Sequence, residues 1–130
     1  MSAETRADIV VIGAGPAGIA AAVRATEANR RVVVLDEAPN VGGQIWRHRS
    51  VGTLGTDARA WIDRLSRTNA DVRRGVAVVD VVMGGESGDI TVVAERHLGG
   101  VAVIRASALV IATGAFQVPV VTVPSVVIDD

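Results

Sequence analysis

Gly13, Gly15 and Gly18 stand in the order G-x-G-x-x-G within GAGPAG, and an acid, Asp36, follows 18 residues after the last of them. Glycines at this spacing strip side chains from a corner of the chain, so that backbone N–H groups can approach an anion. If a helix starts there, its unpaired N–H groups and positive dipole end favour a diphosphate. A carboxylate about twenty residues on, at the end of a second strand, accepts hydrogen bonds from ribose hydroxyls. The chemistry is recognition, with no bond made or broken: the grip on an adenosine diphosphate. Asp36 repels a 2′-phosphate by like charge, which favours an adenosine with free hydroxyls over NADP.

The elements that must position these residues are legible on either side. IVVIG is a short apolar run ending at a glycine, read as a buried strand from Asp8 to Ile12. Ile12 delivers the chain to the corner. Pro16 and Ala17 open a helix, since proline's missing N–H costs nothing in a first turn. Ile19 and Val23, four apart, give that helix one apolar side. RRVVVLDE supplies a second buried strand, Arg31 to Asp36. Strand, helix and strand in this order form a right-handed βαβ unit with parallel strands.

Further on, Leu54, Ala58, Trp61, Ile62 and Leu65 recur at helical spacing among charged residues, which predicts an amphipathic helix packed on the sheet. From Asp71 three Val-rich runs, DVRRGVAVVDVVMGG, GDITVVAER and GGVAVIRAS, read as strands separated by hairpin turns. ALVIATGAF is a further buried run ending at Gly114. Residues 117–130 are rich in Val and Pro and carry no periodic pattern. The fold class expected is α/β.

Composition narrows the function. The 130 residues are 49% hydrophobic but only 2% aromatic, so Val, Ile, Ala and Leu must fill the core of what reads as one domain, residues 1–130. A net charge of −1 and a pI near 6.1 give no reason to expect nucleic acid or an anionic lipid surface as partner. No apolar run reaches the ~18–20 residues of a membrane span, and MSAETRAD lacks the pattern of a secretory signal, so a cytoplasmic protein is expected. The chain contains no cysteine. Disulfides, thiolate metal sites and thiol redox chemistry are thereby excluded for it. His48 and His97 read as solvent-facing side chains, and neither has a neighbour at metal-ligand spacing, so no metal is expected. The basic run WRHR reads as a solvated surface. No general base stands out.

Residues 8–47, DIVVIGAGPAGIAAAVRATEANRRVVVLDEAPNVGGQIWR, resemble the N-terminal FAD-binding segment of the two-dinucleotide-domain flavoproteins, the pyridine nucleotide-disulphide oxidoreductase-like superfamily. Within it they are most similar to the FAD subunits of hydrogen cyanide synthase and of opine or nopaline oxidase. ALVIATGAF resembles the Ala-Thr-Gly strand end of the same superfamily, so the similarity covers most of residues 6–116. The fingerprint alone leaves FAD and NAD open; the resemblance implies FAD. It implies a Rossmann-like three-layer FAD/NAD(P)-binding domain with a parallel sheet and a β-meander. It further implies that Asp36 and Glu37 hold the adenosine ribose, and that Gly42 and Gly43 let backbone pass close to the extended cofactor. Gln44 would make polar contacts near that chain, and Arg47 would bring charge near the diphosphate. The backbone around Val78 would face the adenine, while Ala112, Thr113 and Gly114 would close over the diphosphate and ribityl region.

The resemblance is incomplete. Superfamily members are several times longer and return to the FAD domain with a Gly-Asp motif, which the closing acids here do not match because Asp129 stands in place of the glycine. The expected fold is therefore a truncated one. Many relatives reduce a disulfide through a cysteine pair, which this chain lacks; disulfide reductase activity is excluded for it. Two readings remain open. One is the FAD-binding domain of a flavin-dependent oxidoreductase that turns over an amine, imino acid or amino-acid-derived substrate, as a fragment or in company with a second oxidoreductase subunit or another copy of itself. The other is a stand-alone module that binds FAD, NAD or an ADP-containing nucleotide without turnover.

Overall fold

The structure, a computed structural model, describes residues 3–38, 56–84, 88–113 and 126–128. Its elements run β1 (Ala3–Arg6), β2 (Ile9–Ile12), α1 (Pro16–Glu27), β3 (Val32–Asp36), α2 (Thr56–Ser66), β4 (Asp71–Arg74), β5 (Val76–Met83), β6 (Ile90–Arg96), β7 (Val101–Ala106), β8 (Ala108–Ile111) and β9 (Val126–Ile128). Two sheets result. One is wholly parallel, in the order β4-β3-β2-β8-β9, and the other runs β1-β7-β6-β5. In the second, β5, β6 and β7 form the antiparallel meander, and β1 adds to β7 in parallel.

The apolar runs in β2 and β3 are continuous because both faces are covered, as all-parallel sheets require. Alternation then divides the residues between two cores. Val10, Ile12, Val33, Leu35 and Leu109 face the meander and pack with Val76, Val81, Ile90, Val92 and Ile104. Val11, Val32 and Val34 face the helices and pack with Ile19, Ala22, Val23 and Leu65. Helix, parallel sheet and meander make the three layers that the resemblance implied. Among the described residues no helix is long and apolar enough to cross a membrane.

Four features correct or extend the element assignments. The run beginning at Asp71 is two strands: β4 pairs with β3 in the parallel sheet, whereas β5 belongs to the meander. Gly75, at φ +68°, is the joint that redirects the chain between them. The polar N-terminus forms β1, held by backbone pairing to β7 and by two exposed ion pairs, Arg6–Asp89 at 3.0 Å and Arg105–Glu4 at 3.3 Å. The patternless tail contains β9, paired with β8.

The fourth extends the reading of α2, which packs along α1 as well as on the sheet. Leu65 is buried in the helix-side core, and Trp61 and Ile62 pack partly buried against it. The Trp61 ring meets two guanidiniums, Arg64 at 4.4 Å from its centroid and Arg24 of α1 at 5.7 Å, and Arg64 reaches both carboxylate oxygens of Glu27 at 2.7 and 2.9 Å. Cation–π contacts with a shared ion pair therefore clasp the two helices, in addition to the packing of Leu65 with Val11, Val32 and Val34 of the sheet that the apolar stripe suggested. Leu54 of that stripe lies outside the described residues.

Candidate dinucleotide site

Parallel strands all end at one edge of their sheet, and here Ile12, Asp36, Arg74, Ile111 and Ile128 mark that carboxyl edge. The chain leaves β2 toward β3 on one side, while β8 flanks β2 on the other. The crevice at such a switch of strand order is where open α/β sheets bind their ligands. The three fingerprint glycines stand at this point, and each answers a different steric demand.

Gly13 adopts φ +105° and donates its N–H to the Leu35 carbonyl at 2.8 Å. A Cβ on it would stand 2.5 Å from the carbonyl oxygen of Ala112, whose own N–H donates to Ile12 at 2.8 Å. The ends of β2, β3 and β8 are thus laced together through a position that only glycine fits. Gly18 is buried in the first turn of α1, and a Cβ there would land on the Gly13 carbonyl oxygen and press on Val11 Cγ1 at 3.3 Å. Gly15 differs from both. Its backbone is extended, at φ −79° and ψ −170°, and a Cβ added to it would meet nothing within 4 Å. Internal packing explains Gly13 and Gly18; the bareness of Gly15 serves the space outside.

That space lies against the N-terminus of α1. Gly15 is the N-cap, Pro16 occupies the first turn, no side chain caps the helix, and its first turn carries no acid. An uncapped N-terminus without nearby negative charge suits an anion. Ala14 and Ala112 are buried beside it, and Thr113 is half-buried.

Asp36 ends β3, half-buried, with its Oδ2 shielded from water. Alternation from Val32 and Val34 puts its side chain on the face that carries α1. Glycine corner and acid therefore share one sheet edge and one face. Glu37 is exposed. Val78 lies in β5 opposite Ala94 with its side chain against the inter-sheet core, just before a register shift. Gly42, Gly43, Gln44, Arg47, His48 and Gly114 lie outside the described residues. His97 is exposed, and its backbone N–H donates to the Gly75 carbonyl at 2.9 Å. Arg74, the residue of β4 in register with Asp36, ends on the same edge, a neighbourhood that only strand pairing reveals.

Residues 7–129 match the pyridine nucleotide-disulphide oxidoreductase family over nearly the whole chain. The chain belongs to this family. It is an FAD-binding domain of the kind that flavin oxidoreductases carry. It is 34% identical over 128 residues to the alpha subunit of sarcosine oxidase from Corynebacterium sp. (strain U-96), covering 88% of this chain and 13% of that protein. It is 36% identical over 127 residues to an opine oxidase subunit from Agrobacterium tumefaciens (strain Ach5), covering 86% of this chain and 24% of that one. The chain thus spans no more than about a quarter of the length of these relatives. The L-proline dehydrogenase from P. horikoshii shares its fold, with a TM-score of 0.71 at 23% identity over 87% of this chain and 23% of that chain.

Proposed function

We propose that residues 1–130 form one domain that holds FAD for a flavin-dependent oxidoreductase of the cytoplasm, acting on an amine, imino acid or amino-acid-derived substrate together with a partner oxidoreductase subunit. The observation that carries the cofactor's placement is the open face of Gly15 beside an uncapped helix end, on the same edge and face as Asp36. Two relatives over 30% identical, one from a sarcosine oxidase and one from an opine oxidase, support the substrate class and the partner subunit.

In this reading Ile12, Gly13 and Gly15 bring backbone up to the diphosphate, and Pro16, Ala17 and Gly18 shape the first turn of α1 behind it. Asp36, with Glu37, accepts hydrogen bonds from the adenosine ribose. Gly42, Gly43, Gln44 and Arg47 follow along the extended cofactor, the Val78 backbone faces the adenine, and Ala112, Thr113 and Gly114 flank the diphosphate and ribityl chain. Bound FAD would supply the electron transfer, while the protein binds and orients it. The chain has no cysteine, so it contributes no thiol to any such reaction.

The purified chain mixed with FAD is expected to retain a yellow species with flavin absorption after gel filtration. Uptake of ADP-ribose or NAD with no uptake of FAD would overturn the reading. Asp36→Ala is expected to weaken FAD binding by about 1–3 kcal/mol, roughly 5- to 150-fold, the cost of leaving ribose hydroxyls without their charged acceptor. Titration calorimetry checks this, and an unchanged affinity would reduce Asp36 to a loop acid.

A further inference from the structure

We propose that Arg74 is a further binding residue of the nucleotide site, its guanidinium lying flat on the adenine ring; this rests on the dinucleotide reading above. The sheet itself supplies the geometry. Asp36 and Arg74 are register partners at the carboxyl ends of β3 and β4. Val72, two residues before Arg74, packs against the helix-side core, so alternation turns Arg74 to the same face as Asp36 and α1. Its neighbour Arg73 points to the other face, where its Nη2 donates to Thr5 Oγ1 and Asp71 Oδ2, both at 2.9 Å. Arg73 is committed to the fold. Arg74 is exposed and, among the described residues, makes no ion pair.

The backbone that carries Arg74 is fixed. Gly75, immediately after it, donates its N–H to the Ala38 carbonyl at 3.3 Å and accepts from the His97 N–H at 2.9 Å. Arg74 is therefore tied to the segment that follows Asp36 and Glu37, at the end of the sheet that a nucleotide must cross.

The order of parts in the ligand matches the order of strands. A diphosphate against α1 sits over the end of β2, and the attached ribose reaches Asp36 at the end of β3. One strand further, after another ~4.8 Å of sheet, comes the base. The group awaiting it there is a planar cation, which stacks on π faces far better than a lysine does. A phosphate clamp is the competing role for an arginine, but the α1 end meets the diphosphate two strands away. Asp36, adjacent in register, opposes a 2′-phosphate.

The test uses the full 130-residue chain and calorimetric titration with ADP, FAD and 2′-phospho-ADP-ribose. Arg74→Ala is expected to weaken ADP and FAD about tenfold each, and Arg74→Lys, which keeps the charge but loses the plane, is expected to stay similarly weakened. Both variants change an exposed side chain, and their circular dichroism melts should match the parent. Full recovery of affinity in Arg74→Lys, or a loss confined to 2′-phospho-ADP-ribose, would overturn the stacking role. Unchanged ADP and FAD affinity in Arg74→Ala would overturn it while leaving the dinucleotide site standing. Failure of the parent chain to bind either ligand would overturn both.

Discussion

Gly15→Val is expected to leave the fold intact and to lower FAD affinity by about 100-fold or more, at least ~2.7 kcal/mol. The reasoning is steric and one-sided. The φ and ψ of Gly15 lie in extended space open to any residue, and its Cβ direction meets no protein atom within 4 Å. The folded protein therefore has nothing to push against. A ligand diphosphate seated on the backbone N–H groups of α1 does, because a branched side chain would occupy the space its oxygens need. Differential scanning fluorimetry without ligand should give the parent's melting temperature, and titration calorimetry should give the loss. Parent-like FAD affinity in a folded Gly15→Val protein would show that the diphosphate does not approach this corner.

Gly18→Ala, three residues along, is expected to do the reverse. Alanine in place of glycine inside a helix ordinarily stabilises by roughly 1 kcal/mol. Here the methyl would land on the Gly13 carbonyl and against Val11, both belonging to the corner that laces β2, β3 and β8. Backbone cannot swing aside as a flexible side chain can, so α1 must lift from the sheet. Overpacking costs about 1–3 kcal/mol, and a clash with backbone puts Gly18→Ala at the upper end, about 3 kcal/mol. For a domain of this size that lowers the melting temperature by roughly 10 °C. Urea denaturation monitored by far-UV circular dichroism measures the cost. A Gly18→Ala protein as stable as the parent would mean that helix and strand are not in this close contact. Together the two variants separate a glycine kept for the ligand from one kept for the fold.

The parts of the molecule that could be read in advance are those whose physics is local or strongly apolar. β2 and β3 announce themselves as unbroken Val and Ile runs because two cores cover them. α1 follows from Ala-rich sequence and from Pro16 at its opening turn. β1, and the separation of β4 from β5, were illegible for the opposite reason. Ala3–Arg6 and Asp71–Arg74 are edge strands with polar residues, held by main-chain pairing to partners far along the chain, and no periodicity records that. Gly75 stands inside the run from Asp71, and its left-handed backbone separates the two sheets. The candidate site divides the same way. The glycine spacing and Asp36 stand out as a motif, whereas the placement of Arg74 beside Asp36 follows only from the pairing of β4 with β3.

One pairing also bears on when this protein can come into being. The central strand β2 gains its second neighbour from Ala108–Ile111, and the corner at Gly13 is completed by the carbonyl of Ala112. A growing polypeptide thus carries its glycine fingerprint out of the ribosome about a hundred residues before the parts that finish it. Until then half of β2 has no hydrogen-bonded flank. Contacts so distant in the chain make folding slow, and the corner at Gly13 cannot close before Ala112 has left the ribosome.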